Sequence, residues 1–234
     1  MMAGFTDIHA HVIYGVDDGP KTSQDMRDLL DDAAGQGISR IFATSHMEPG
    51  VHPFPEEEYA IRLEEGNRYC AEQGYELTIL PGAELLYTPA MDAFIRDRRL
   101  KSLGDSMSVL VEFMPDVTED EAVWALEQLE DAGYQTILAH IERYECMRGG
   151  FPVHLKRKFS VQYQVNCRSV IESGQLLRGR HMRKWLDAGL IDYVATDMHS
   201  RNRPPRMDEA YETLVRRYGA ETAGRLTDGS ALAF

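Results

Sequence analysis

Thr6-Asp7-Ile8-His9-Ala10-His11 is the stretch on which the reading of this chain turns: an apolar run that closes on two histidines, two positions apart. Side chains at that spacing on a strand point to the same side, so both imidazoles can meet at one point. The pattern then recurs. A nitrogen or oxygen donor closes nearly every later apolar run: His46, Glu84, Glu112, His140, and finally the pair Asp197 and His199. An isolated histidine pair is more often structural. Further donors at successive strand ends make coincidence a poor explanation, because a metal cluster at one mouth of an α/β barrel needs that arrangement. The expectation is a metal-dependent hydrolase.

The segments between these donors alternate. Residues 8–13, 40–45, 77–80, 109–113, 136–139, 161–165 and 193–195 read as strands. Residues 23–36, 56–73, 118–132, 180–188 and 207–218 read as helices, with Thr22 placed to cap the first and Thr118 with Glu121 forming a capping box. Gly37, Gly74, Gly133 and Gly189 each follow a helical pattern and precede a strand. Repeated helix–glycine–strand units imply parallel strands with helical crossovers. Seven strand candidates suit a closed or nearly closed (β/α)7 barrel better than an open sheet, which would want a glycine-rich turn after its first strand. No linker divides the chain, so residues 1–234 are read as one domain.

Composition narrows the options further. The formal charge of −13 argues against non-specific binding to nucleic acid or anionic lipid. No apolar stretch is long enough to span a bilayer, and no basic segment leads into an apolar one at the N-terminus, so a cytoplasmic location is expected. Cys70, Cys146 and Cys167 are scattered and form no C-x-x-C, which reads as reduced, mostly buried thiols.

Several residues could carry chemistry. Asp17 and Asp18 precede Gly19-Pro20, ordinary turn chemistry that accounts well for Asp17. Glu84 and Glu112 sit in apolar surroundings, where an unpaired carboxylate is costly. Arg143 follows His140 at the expected barrel mouth, with a plain ion pair to Glu142 or Glu145 as the ordinary alternative. Arg201, Arg203 and Arg206 cluster around Pro204-Pro205, and guanidinium groups grip phosphate oxygens in bidentate fashion. His52, His154 and His181 fall outside the pattern, with His52 best placed to line a pocket.

With these residues in hand the chain resembles the bacterial PHP-type (polymerase and histidinol phosphatase) tyrosine-protein phosphatases of capsule and exopolysaccharide operons. The resemblance rests on DIHAHVIYGVDDGPKT (7–22), ATSHMEPG (43–50), LPGAELLYTP (80–89), LVEFMP (110–115), ILAHIERY (137–144) and VATDMHSRNRPP (194–205), in family order over most of the chain. It implies a distorted, TIM-like (β/α)7 barrel holding three divalent ions, manganese foremost, with iron or zinc also accepted by imidazole and carboxylate. By motif, His9 and His11 would hold the first ion with Asp197; Glu84 would bridge to a second held by Glu112 and His140; Asp18, His46 and His199 would hold the third. Arg143 and Arg203 match the phosphate-gripping arginines. The segment 200–203 is one residue shorter than in some relatives, so Arg201 could share or take the role of Arg203.

The implied activity is metal-dependent hydrolysis of phosphotyrosine. The implied partner is the tyrosine-rich tail of a bacterial autokinase, with no nucleic acid, no membrane insertion, and oligomerisation left open. Tyr14, Phe54, Tyr87 and Tyr144 are candidates to flank the phenyl ring. A cysteine-based phosphatase is excluded, since the positions six beyond each cysteine hold Glu76, Pro152 and Ser173 rather than arginine. Three rivals remain: a small-molecule phosphatase of the histidinol-phosphate type, an amidohydrolase-like enzyme cleaving a C–N bond, and a non-catalytic binding module on the same fold.

Overall fold

A curled parallel sheet wrapped by helices emerges from these segments in the computed structural model, which describes residues 4–174 and 179–232. In chain order the elements are β1 (Phe5–Ala10), α1 (Ser23–Gly35), β2 (Ile38–Ala43), β3 (His46–Met47), α2 (Glu56–Gln73), β4 (Thr78–Pro81), β5 (Glu84–Leu86), α3 (Asp92–Arg96), β6 (Ser108–Glu112), α4 (Glu119–Asp131), β7 (Gln135–Leu138), α5 (Phe151–Lys158), β8 (Gln162–Asn166), α6 (Cys167–Glu172), α7 (Arg180–Asp187), β9 (Tyr193–Ala195), α8 (Met207–Tyr218) and α9 (Ala220–Thr227).

Every strand pairing is parallel. One sheet runs β1-β2-β4 and the other β3-β5-β6-β7-β8-β9. The two continue each other, because Thr44-Ser45 interrupts one strand direction and Gly82-Ala83 the next. At the far edge the chain beyond β9 returns to β1: Asp197 N donates to His9 O at 2.8 Å and His11 N donates to Met198 O at 2.9 Å. Ile8, Phe42, Leu110, Ile137 and Ala195 meet in one small buried cluster, though they come from five strands spread along the sheet. Such residues touch only if the sheet curls and they share its concave side. A larger cluster lies between the sheet and the helices.

Local chemistry explains where the helices begin. Thr22 and Asp25 exchange side-chain-to-backbone hydrogen bonds at the start of α1, and Thr118 and Glu121 do the same at α4. The strand edges differ from the pattern in the sequence. The first strand occupies Phe5–Ala10 rather than 8–13, because Val12 and Ile13 are buried in the larger core cluster without pairing as strand. The second is Ile38–Ala43 rather than 40–45, leaving Thr44 and Ser45 as the interruption. The short strands β3 and β5 and the short helices α3, α5, α6 and α9, none longer than eight residues, escape a reading of the sequence.

Replacing Thr22 with Ala removes one half of its capping box. The expected loss is about 1 kcal/mol of unfolding free energy, read by chemical denaturation.

Candidate metal centre

The parallel strands deliver their donors to a single rim. His9 lies near the end of β1 and His11 just beyond it; His46 opens β3, Glu84 opens β5, Glu112 ends β6, His140 follows β7, and Asp197 and His199 follow β9. Asp18 enters from the turn after β1. Glu84 sits at the hub and is 1% exposed. Its Oε2 lies 3.2 Å from His9 Nε2, 3.1 Å from His11 Nε2 and 3.2 Å from His46 Nδ1, while Oε1 lies 2.8 Å from His140 Nε2. Around it, Asp197 Oδ1 stands 3.6 Å from His9 Nε2, Glu112 Oε1 3.2 Å from His140 Nε2, and Asp18 Oδ1 3.4 Å and 3.3 Å from the Nε2 atoms of His46 and His199. All nine donors expected from the sequence therefore meet here.

Neighbouring acceptors orient the rings. His11 Nδ1 donates to Asp17 Oδ2 at 2.8 Å, His9 Nδ1 to Gln164 Oε1 at 3.1 Å, and His199 Nδ1 to the Asp197 carbonyl at 2.9 Å. Each bond places the proton on Nδ1 and turns Nε2 toward the centre, the orientation a metal-binding imidazole requires. Asp17 also accepts from His46 N at 3.1 Å and Gly19 N at 2.9 Å. It is both the turn residue that its sequence suggests and the orienting partner that the sequence reading missed. Gln164 and Asn166 were missed too. Asn166 Nδ2 donates to Asp197 Oδ2 at 2.7 Å, and Gln164 Oε1 also accepts from His140 N at 2.6 Å. Their signal lay in Gln162-Tyr163-Gln164-Val165-Asn166, where polar residues fall at every second position. Buried Asp7 ties the edges of the site together by accepting from His9 N and Thr196 N, and burial pushes its pKa up to about 6.

The two arginines converge on Asp197. Arg143 and Arg203 both donate to its Oδ2, Arg203 at 2.8 Å. Arg143 also approaches Glu112 at 3.7 Å, so neither Glu142 nor Glu145 is its ion-pair partner. Arg201 instead turns away to Asp28 at 2.6 Å. His140 and Asp197 have positive φ values of 29° and 52°, a conformation that non-glycine residues adopt at some cost and that recurs at functional sites.

Electrostatics shows what the donors lack when left to themselves. Burial disfavours the His11 cation, but hydrogen bonds to Asp17 and Glu84 outweigh it and raise its pKa to about 10. Burial likewise opposes protonation of His140, and Glu112 and Glu84 raise it to about 9. Burial would lift Glu84 and Asp197, yet the facing histidines, with Arg143 beside Asp197, hold both below the usual carboxylate range. Burial and the neighbouring His11 charge lower His199 to about 4. The carboxylates thus draw protons onto His11 and His140, and the same field attracts cations. Ligand atoms of His9, His11 and Glu84, of His46, Glu84 and Glu112, and of His11, Asp18, His46 and His199 lie within 4.8 Å of one another in each group. Imidazole and carboxylate at that spacing fit divalent cations, and His140 presents Nε2 to Glu84 and Glu112 while its buried Nδ1 has no hydrogen-bond partner.

Two clefts open on the cluster. One of about 350 Å³ reaches Asp18, His46 and Glu112 and is walled by Met47, Phe54 and Leu86, with His52 at its edge. Phe54 is thus the aromatic candidate at the mouth, whereas Tyr144 is buried and Tyr14 is bound to Glu65. The other cleft, about 330 Å³, is lined by Arg143, Arg203, Arg206 and Asn166.

Comparison with known proteins places the chain among its relatives. A sequence model described as capsular polysaccharide synthesis, CpsB/CapC, matches residues 5–231. The chain is 30% identical to tyrosine-protein phosphatase CpsB of Streptococcus pneumoniae, across 94% of this chain and 93% of that protein. It is 30% identical to tyrosine-protein phosphatase YwqE of Bacillus subtilis, across 97% and 90%. A crystal structure from work on YwqE and CpsB, described as unique metal-dependent tyrosine phosphatases, superimposes with a TM-score of 0.84 at 28% identity over 94% of this chain and 90% of that one. A lactonase from Listeria monocytogenes shares the fold at 11% identity, with a TM-score of 0.66 over 97% and 93%.

Two outcomes follow for the metal-free protein. His11 and His140 hold protons at neutral pH and must lose them to bind a cation, so metal binding releases protons and tightens as pH rises from 6 toward 9. Calorimetric titration in buffers of different ionisation enthalpy measures that release; affinity independent of pH would contradict it. Asp17→Asn should weaken metal binding about 10- to 100-fold, read as metal content after dialysis, although Asp17 faces the ring edge away from the cluster.

Proposed function

Because the chain belongs to the CpsB/CapC family of capsular polysaccharide synthesis proteins, we propose that it is a metal-dependent protein-tyrosine phosphatase. The observation that carries this reading is the meeting of nine imidazole and carboxylate donors with two arginines at one rim. The sheet is read as a distorted (β/α)7 barrel forming one domain, with β3 continuing β2 and β5 continuing β4. His9, His11 and Asp197 would hold one ion, Glu84, Glu112 and His140 a second, and Asp18, His46 and His199 a third, with manganese foremost. Glu84 would bridge, in keeping with its central place.

When bound, such ions supply Lewis-acid activation of water and neutralise charge on phosphoryl oxygens. The protein's own residues do the rest. Arg143 and Arg203 have half-exposed heads anchored on Asp197, and their remaining N–H groups suit the non-bridging oxygens of a phosphate. Asp197 holds both guanidinium groups in place before substrate arrives. Met47, Phe54 and Leu86 offer an apolar slot for a phenyl ring. Phenolate leaves readily, since tyrosine's pKa is about 10, so no dedicated acid is needed for the leaving oxygen. That slot favours a phosphotyrosyl protein over a small polar phosphomonoester. The arginine pair argues against C–N bond cleavage, and retention of every donor argues against a non-catalytic module. The substrate is read as the phosphotyrosine-bearing tail of a tyrosine autokinase, met in the cytoplasm.

Chelation should abolish hydrolysis of a phosphotyrosyl peptide and added manganese should restore it, while thiol alkylation should leave most activity. Arg203→Ala should lower kcat/KM about 10²-fold and Arg201→Ala much less. Equal losses would remove the distinction between the two arginines.

A further inference from the structure

The rim carries another cleft that the metal centre does not use. It encloses about 490 Å³, with Tyr87, Phe113, Val117 and Trp124 in its walls and Asp116 and Asp120 at its edge. Trp124 leaves 54% of its surface in solvent, and Met114 beside it 59%. Large apolar side chains exposed together around a concave surface mark a contact site.

The cleft borders the active mouth. Leu86 and Glu112 are register partners on β5 and β6 and line the cleft that contains Phe54. Tyr87 and Phe113 are the next residues on each chain and face the other way, into the further cleft. Tyr87 N donates to Glu112 O at 2.9 Å, and the Tyr87 and Phe113 rings pack edge to face at 5.6 Å. One wall thus separates the metal centre from the aromatic cleft. An extended peptide advances about 3.4 Å per residue, so a neighbour within a few positions of the reacting tyrosine reaches across it.

Charge decides what that neighbour is. Glu121 is committed to the helix, since its Oε2 accepts from Thr118 N at 2.9 Å and Thr118 Oγ1 at 2.7 Å. Asp116 and Asp120 are exposed, and among the described residues neither joins an ion pair or a side-chain hydrogen bond. Two free carboxylates lining the same cleft as a tryptophan repel an acidic side chain and attract a cation. The apolar walls take the methylene stem of such a side chain while its charged end reaches the carboxylates.

We propose that this cleft selects substrates with a lysine or arginine close to the phosphotyrosine. The proposal rests on the phosphatase reading and adds a substrate preference to it. The rim then reads both signs: Arg143 and Arg203 take the phosphate, and Asp116, Asp120 and Trp124 take the neighbouring cation.

The test compares kcat/KM of the metal-loaded enzyme on phosphotyrosyl peptides carrying lysine or glutamate within about three residues of the phosphotyrosine. The wild type should favour the lysine peptide about tenfold at low salt, and the ratio should shrink as ionic strength rises. Trp124→Ala should bring the ratio close to one. Asp116→Lys combined with Asp120→Lys, both at exposed positions, should invert it. Equal turnover of the two peptides by the wild type, or a ratio unchanged in both variants, overturns the proposal. Failure of the loaded wild type to hydrolyse either peptide or para-nitrophenyl phosphate would overturn the phosphatase reading, and this preference with it.

Discussion

A carboxylate stripped of water is tolerated only where positive charge or hydrogen-bond donors replace that water, and Glu84 imposes this condition on the whole rim. Its two oxygens face four imidazoles from three segments of chain. Those segments come together only because the parallel strands curl and the chain after β9 pairs with β1. Fold closure and site assembly are therefore one event. Cations held by these donors would also stabilise the curled sheet.

The helices and their caps were legible because they depend on local chemistry: Thr22 with Asp25, Thr118 with Glu121, and Gly74 in the left-handed conformation after α2. The donors were legible because nitrogen and oxygen ligands in apolar runs need a reason to be there. What escaped depends on tertiary contact. Asp17 looks like any turn residue until His11 and His46 N are seen around it. Gln164 and Asn166 alternate along β8, but nothing local says that they face histidine and aspartate rather than solvent. Strand limits shifted where burial and pairing parted company, as at Val12 and Ile13.

The arginines show the same division. Three lie within six residues, and sequence alone leaves Arg201 and Arg203 interchangeable. The fold separates them: the hairpin-like turn in which His199 N donates to Arg203 O and Arg203 N to Ser200 O points Arg203 back at Asp197 and leaves Arg201 beside α1. A turn of a few residues thus separates Arg203, held on Asp197, from Arg201 in a surface ion pair.

The left-handed backbone at His140 and Asp197 has a longer reach than local strain. At each residue the chain bends sharply just as the donor is delivered, and the few residues after the bend turn back onto the site, as Arg143, His199 and Arg203 do. Segments beyond Arg143 and Arg203 can lengthen, shorten or change character over evolutionary time without dragging the donors off their mark. A lineage could retune what it dephosphorylates by drift in those loops while the inorganic machinery stays fixed.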